Sequence, residues 1–186
     1  MSGRSHLGRF ATVLSLLAVS AISLRGGAEA EEELKCAAVL AFVQNASWTE
    51  PLAPNAPITV GVVGRVAFFR WLRTTADGKV AKGHPIRVQE VTLPADSHCC
   101  QVLYFATDKP ADIKPVLQSL ASAPVLTIGE SDSFLEQGGA VSLFLQDGHM
   151  SFEVSMGALG QGGIEISSKL LRYGQIRDLA KARPAK

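Results

Sequence analysis

No apolar run in this sequence matches the roughly 20 residues that a bilayer-spanning helix requires, the most apolar stretch being the fifteen residues from Phe10 to Leu24. Twin arginines are missing ahead of it. Cys36 follows Glu33-Leu34-Lys35, so the small residue that lipid attachment needs before a cysteine is absent too. Nor is there an excess of one charge: 18 basic side chains face 17 acidic ones. That balance argues against a nucleic-acid binder or a polybasic membrane-surface protein, because both depend on summed positive charge. Catalytic signatures are equally scarce. The chain contains no Gly-x-Ser-x-Gly, and Gly61-Val62-Val63-Gly64 lacks the third glycine and the Lys-Ser/Thr of a phosphate loop. A turn that lets a helix pack closely on a strand explains that stretch better.

What is present begins with an export leader. Arg4 and Arg9 precede the apolar run, and Ala28-Glu29-Ala30 has the small-x-small shape that signal peptidase cuts. The expectation is a signal peptide over residues 1–30, one domain over 31–180 and a disordered basic tail over 181–186, in an oxidising extracytoplasmic space. With the leader removed, enough chain remains for a real hydrophobic core.

The segments alternate between helical and strand patterns. Glu31-Glu32-Glu33 suit a helix N-terminus, and Cys36, Val39, Leu40 and Val43 recur on one face of a helix expected to end near Trp48. Ile58 to Val63 reads as a strand, and Val66 to Thr74 as an amphipathic helix with Phe69 and Leu72 inward. Ile86, Val88 and Val91 suggest a second strand. Val102 to Ala106 is continuously apolar, which predicts a central strand buried on both faces. Asp112 to Leu120 reads as a helix with Pro115 in its first turn, and Val125 to Ile128 as another buried strand. Val141 to Leu145 and Met150 to Val154 flank Asp147-Gly148, a strong hairpin signal. A short extended piece at Ile164 should turn helical at Ser167-Ser168 and continue to Leu179. The fold class is therefore α/β: a single layered domain with a mainly parallel sheet flanked by helices and an antiparallel hairpin near the C-terminus.

Three cysteines in an oxidising space leave at least one unpaired. Buried thiols acting as small apolar residues are the leading reading. Among possible disulfides Cys36 with Cys100 is favoured, since Cys99 and Cys100 would face opposite ways on a strand. His98, Cys99 and Cys100 could suggest a soft metal site, but four ligands are wanted and His84 and His149 stand apart in loops, so no metal is assigned. Glu130, Asp132, Glu136 and Asp147 read as solvated turn carboxylates, and no catalytic residue or cofactor is assigned. Two residues are candidates for partner binding. Trp48, ahead of Pro51, either caps the core or presents an aromatic anchor. Arg172, beyond Leu170-Leu171, either pairs internally with Glu153 or Glu165 or meets a partner.

Several stretches together resemble the YfiR family of bacterial periplasmic proteins: Lys35-Cys36-Ala37-Ala38 through Phe42 to Trp48, Cys100 to Phe105, and Pro124 to Gly129. The match continues through Phe134, Gly138-Gly139, Phe152-Glu153-Val154 and Ser167-Ser168-Lys169-Leu170-Leu171-Arg172. The resemblance implies a periplasmic α/β domain, commonly dimeric. Such a domain restrains a membrane-bound diguanylate cyclase by binding its sensor region, and so affects cyclic-di-GMP and biofilm formation. A sensor kinase is the other expected kind of target. The chain departs from the family at Ala38, Asn45 and Ser155. Gly61 stands where the family's named member has a cysteine, so the equivalent bridge to Cys100 cannot form. A regulator acting by protein contact, with no cofactor and no enzymatic activity, is thus the main expectation. The alternative is a periplasmic small-molecule-binding protein, with loops after Val63, Ala106 and Gly129 around the ligand at the strand carboxyl ends.

Overall fold

Apolar β-branched runs, each stopped by a glycine or a polar turn, supply the strands, and longer stretches of helical period supply the layers that cover them. A computed structural model describes residues 11–94, 97–107 and 110–177. Helix α1 runs Ala11–Asn45 and strand β1 is Ala46–Trp48. The chain divides into one unit up to Glu33 and another from Leu34 onward. Within the second, β2 (Ile58–Gly64) leads into α2 (Val66–Ala76), the short β3 (Val80–Ala81) and β4 (His84–Glu90). Next come β5 (Val102–Ala106), α3 (Pro110–Ser119) and β6 (Leu126–Gly129). The chain continues with β7 (Val141–Gln146), β8 (His149–Ser155), α4 (Met156–Gln161), β9 (Ile164–Ile166), α5 (Ser168–Leu171) and β10 (Gln175–Arg177).

Eight strands form one sheet in the order β10-β8-β7-β6-β5-β2-β4-β3, and β1 pairs with β9 in a separate ribbon. From β4 through β2, β5 and β6 to β7 all pairings are parallel. The expected central strand is β5, buried at every position. The expected hairpin is β7–β8, antiparallel and turning at Asp147 (φ +51°) and Gly148 (φ +77°). After β2 the chain moves out to β4 on one side, then returns to lay β5 and β6 on the other. Alternate strand residues feed two cores. Val60, Val62 and Tyr104 join α1 and α2 on one face, while Val63, Leu103 and Phe105 join α3 on the other. The order reverses between β2 and β5, so the carboxyl ends of those strands form the switch point of a doubly wound sheet.

Four expectations need correction. Helix α1 starts well before Glu31, so Glu31-Glu32-Glu33 lie inside it, and it stops at Asn45 because Ala46 to Trp48 pair with β9. Phe68, not Phe69, fills the core with Leu72 and Ala76; Phe69 is half-buried beneath the Arg73 guanidinium, 5.4 Å from its ring centre. Helix α3 begins at Pro110, which puts Pro115 beyond the first turn. The closing helix does not extend to Leu179: α5 ends at Leu171 and β10 then adds to the sheet edge, parallel to β8. Gly174 permits this, because a Cβ there would overlap the Phe152 ring. Leu179 and the tail 181–186 lie outside the described residues.

Candidate functional site

Strands β2, β5 and β6 deliver three polar groups to one point at the switch. Glu130 is the first residue beyond β6, Arg65 the first beyond β2, and Tyr104 lies within β5. Gly64 (φ +102°) lets the chain leave β2 hard against the Ala106 carbonyl, where a Cβ would clash, and the Arg65 amide then donates to that carbonyl at 3.1 Å. Lys35 arrives from α1, whose core face (Val39, Phe42, Val43) carries it in register with apolar neighbours.

These side chains converge on the Glu130 carboxylate. Lys35 Nζ donates to Oε2 at 2.8 Å, and Arg65 Nη2 to Oε1 and Oε2 at 2.6 and 2.9 Å. Tyr104 Oη donates to Oε1, its ring stacked on Phe68 at 4.3 Å. The Glu130 side chain is 11% exposed and that of Lys35 only 8%. Burial by itself pushes the Glu130 carboxyl upward. The hydrogen bonds from Lys35 and Tyr104 and the charges of Lys35 and Arg65 outweigh it, and the group is held below the ordinary carboxylate range. A carboxylate so occupied on both oxygens is a poor proton acceptor. Its chemical role is to tie α1, the start of α2, β5 and β6 together.

The expectation of solvated turn carboxylates holds for Asp132, Glu136 and Asp147, all exposed, but fails for Glu130. Lys35, Arg65 and Tyr104 were not singled out from the sequence. The available signals were a lysine at a core position of a helix, and charged residues immediately after buried strands. The loops after Val63 and Gly129 do meet at the strand carboxyl ends, and ion-paired side chains occupy their junction.

The other candidates are dispersed. Trp48 ends β1, half-buried against the larger core, with its Nε1 out of water and, among the described residues, without a hydrogen-bond partner. Arg172 is exposed just after α5; Glu153, one of its anticipated partners, pairs instead with Arg177 at 2.8 Å. The Cys36–Cys100 disulfide does not form: Cys36 belongs to the core on one face of the sheet and Cys100 to the core on the other. Cys99 sits in a 3₁₀ turn before β5, so its sulfur lies 3.5 Å from that of Cys100 rather than on the opposite face. A Cβ on Gly61 would come 2.7 Å from Cys100 Sγ, which places position 61 directly beside that thiol. Among the described residues no group of three His, Cys, Asp or Glu side chains could hold a metal ion. No helix among them is long and apolar enough to cross a membrane.

The YfiR/HmsC-like family model matches residues 32–175, which contain the whole sheet apart from the end of β10 and every member of the Glu130 cluster. The chain belongs to the YfiR/HmsC-like family. Among curated proteins none matches it. Members of this family are periplasmic regulators, and the α/β architecture with its closing hairpin is the fold on which this member builds its surface.

Proposed function

We propose that this YfiR/HmsC-like chain is exported, cut near Ala30, and restrains a membrane-bound signalling enzyme by docking on its extracytoplasmic sensor region. The target is a diguanylate cyclase, a sensor kinase being the other candidate, so the protein lowers cyclic-di-GMP and biofilm formation without chemistry of its own. Cleavage at Ala30 makes Glu31 to Glu33 the first turn of α1, where their charge is favourable. The family match over residues 32–175 is the observation that carries this reading. Surface chemistry supports it. The strongest ionic cluster is turned inward on Glu130, whereas Arg172, Tyr173 (78% exposed) and Ile176 (59% exposed) lie together in sequence around the open edge strand β10. Exposed aromatic, aliphatic and arginine side chains are the usual anchors of a protein interface. A domain acting this way, as a homodimer or a monomer, holds its target off only by binding the inactive state more tightly than the active one.

Deletion of the chromosomal copy tests the proposal. Cyclic-di-GMP should rise, the wild-type chain should restore it, and a Tyr173→Glu, Arg172→Glu variant with an unchanged circular dichroism spectrum should not. Membrane extracts passed over the tagged chain should yield an inner-membrane signalling protein. Unchanged cyclic-di-GMP on deletion overturns the cyclase assignment.

A further inference from the structure

At the amino ends of β2 and β4, opposite the Glu130 cluster, lies a recess of about 200 Å³ walled by Trp48, Pro51, Leu52, Ile58, Lys82 and His84. Its walls are mostly apolar, with the Ser47 hydroxyl, the Lys82 ammonium and the His84 ring as polar groups and Lys82 as the cation among them. Lys82 Nζ uses one N–H on the Ala46 carbonyl at 2.6 Å, and among the described residues nothing takes the other two. His84 Nδ1 donates to the Ala56 carbonyl at 2.8 Å, so Nε2 of the neutral ring is an acceptor. Trp48 adds ring surface to the wall, while its Nε1 is buried and, among the described residues, without an acceptor. Among the described residues no aspartate or glutamate lines the recess.

The backbone adds a second observation. Lys82 and Gly83 form the two-residue turn between β3 and β4, with φ of +51° and +86°. Gly83 suits that conformation, but a lysine in it is strained, and asparagine, aspartate or glycine is the usual choice. A cation is therefore held at the position where the turn least favours one.

We infer that this recess binds a small organic carboxylate: the apolar walls, Trp48 among them, take a body of one ring or a short chain, and Lys82 takes the anionic end. The volume is enough for one ring or a short aliphatic chain. Absence of an acidic side chain disfavours free amino acids, whose ammonium would go unpaired. The site lies apart from the Arg172–Ile176 surface assigned to the protein partner, so either assignment can fail without the other.

Trp48 and Trp71 are the only tryptophans, and Trp71→Phe leaves Trp48 as the sole reporter. Benzoate, cyclohexanecarboxylate and hexanoate should each shift its fluorescence saturably in the purified protein, while cyclohexylamine and phenylalanine should not. Lys82→Asn should weaken binding about tenfold or more, the loss expected for a charged hydrogen bond, without lowering the melting temperature. Lys82→Arg should keep it. Absence of saturable change with all three carboxylates, or unaltered affinity in Lys82→Asn, overturns the inference. Binding confined to a peptide with a free C-terminal carboxylate overturns it in favour of a protein chain end.

Discussion

The two ends of the parallel sheet handle polar groups in opposite ways. At the carboxyl ends of β2, β5 and β6, Glu130 accepts from Lys35, Arg65 and Tyr104, and the lysine and glutamate are nearly buried. At the amino ends of β2 and β4, among the described residues, the Trp48 indole N–H has no acceptor and Lys82 reaches only a backbone carbonyl. Doubly wound sheets usually place ligands at the first of these ends. Here side chains from four elements occupy it, and the donors without partners gather at the other. Internal pairing stabilises the fold at one end, while unmet hydrogen-bonding capacity at the other leaves room for a ligand.

Breaking the paired end should produce the largest effect. Glu130→Ala leaves Lys35 buried without its carboxylate and should cost about 3–5 kcal/mol in urea unfolding. Changing Lys35→Met together with Glu130→Gln should recover a good part of that loss, since an apolar side chain of similar volume replaces the stranded charge. A full-size loss in the double variant would show that the cluster stabilises through something other than its charge balance.

A pH series sharpens the same point. Because the Glu130 carboxyl is held below its unfolded value, its contribution is fully present above the ordinary carboxylate range. It is lost as pH falls through the lowered folded value. Unfolding free energy should therefore decline more steeply in acid for the wild type than for Glu130→Gln, as measured by urea titrations from neutral pH downward. Parallel curves would contradict the assigned protonation behaviour.

The unpaired end should respond far less in stability. In Lys82→Asn, relief of the strained turn, worth about 1–2 kcal/mol, is offset by the lost bond to Ala46, worth about 1 kcal/mol. The net change should stay within about 1 kcal/mol in the same unfolding assay. The smallest effect is expected at the open sheet edge, where Tyr173→Ser should alter stability by no more than about 0.5 kcal/mol while weakening retention of the target in membrane pull-downs.

Legibility from sequence divides along the same line. Continuous apolar runs located β2, β5 and β6 to within a residue or two, and Asp147-Gly148 located the β7–β8 hairpin, because strand period and turn chemistry act over a few neighbouring residues. The extra edge strand has no such local signal: three exposed residues, Gln175 to Arg177, carry no alternation to read, and Phe152 under Gly174 decides where the chain goes. The relative orientation of Cys99 and Cys100 is not legible from strand alternation, because a 3₁₀ turn and not the strand sets the angle between them.

The sequence by itself determined the alternation of helices and strands, the two-sided burial of β5, the hairpin and the family motifs, all of which depend on local spacing and residue type. Only tertiary structure decided that Glu130 is a buried clasp rather than a solvated turn residue, since its partners Lys35, Arg65 and Tyr104 stand 95, 65 and 26 positions away. Strand order brings such residues together. A periodic pattern shows which face is buried but leaves open which distant side chain will meet it there.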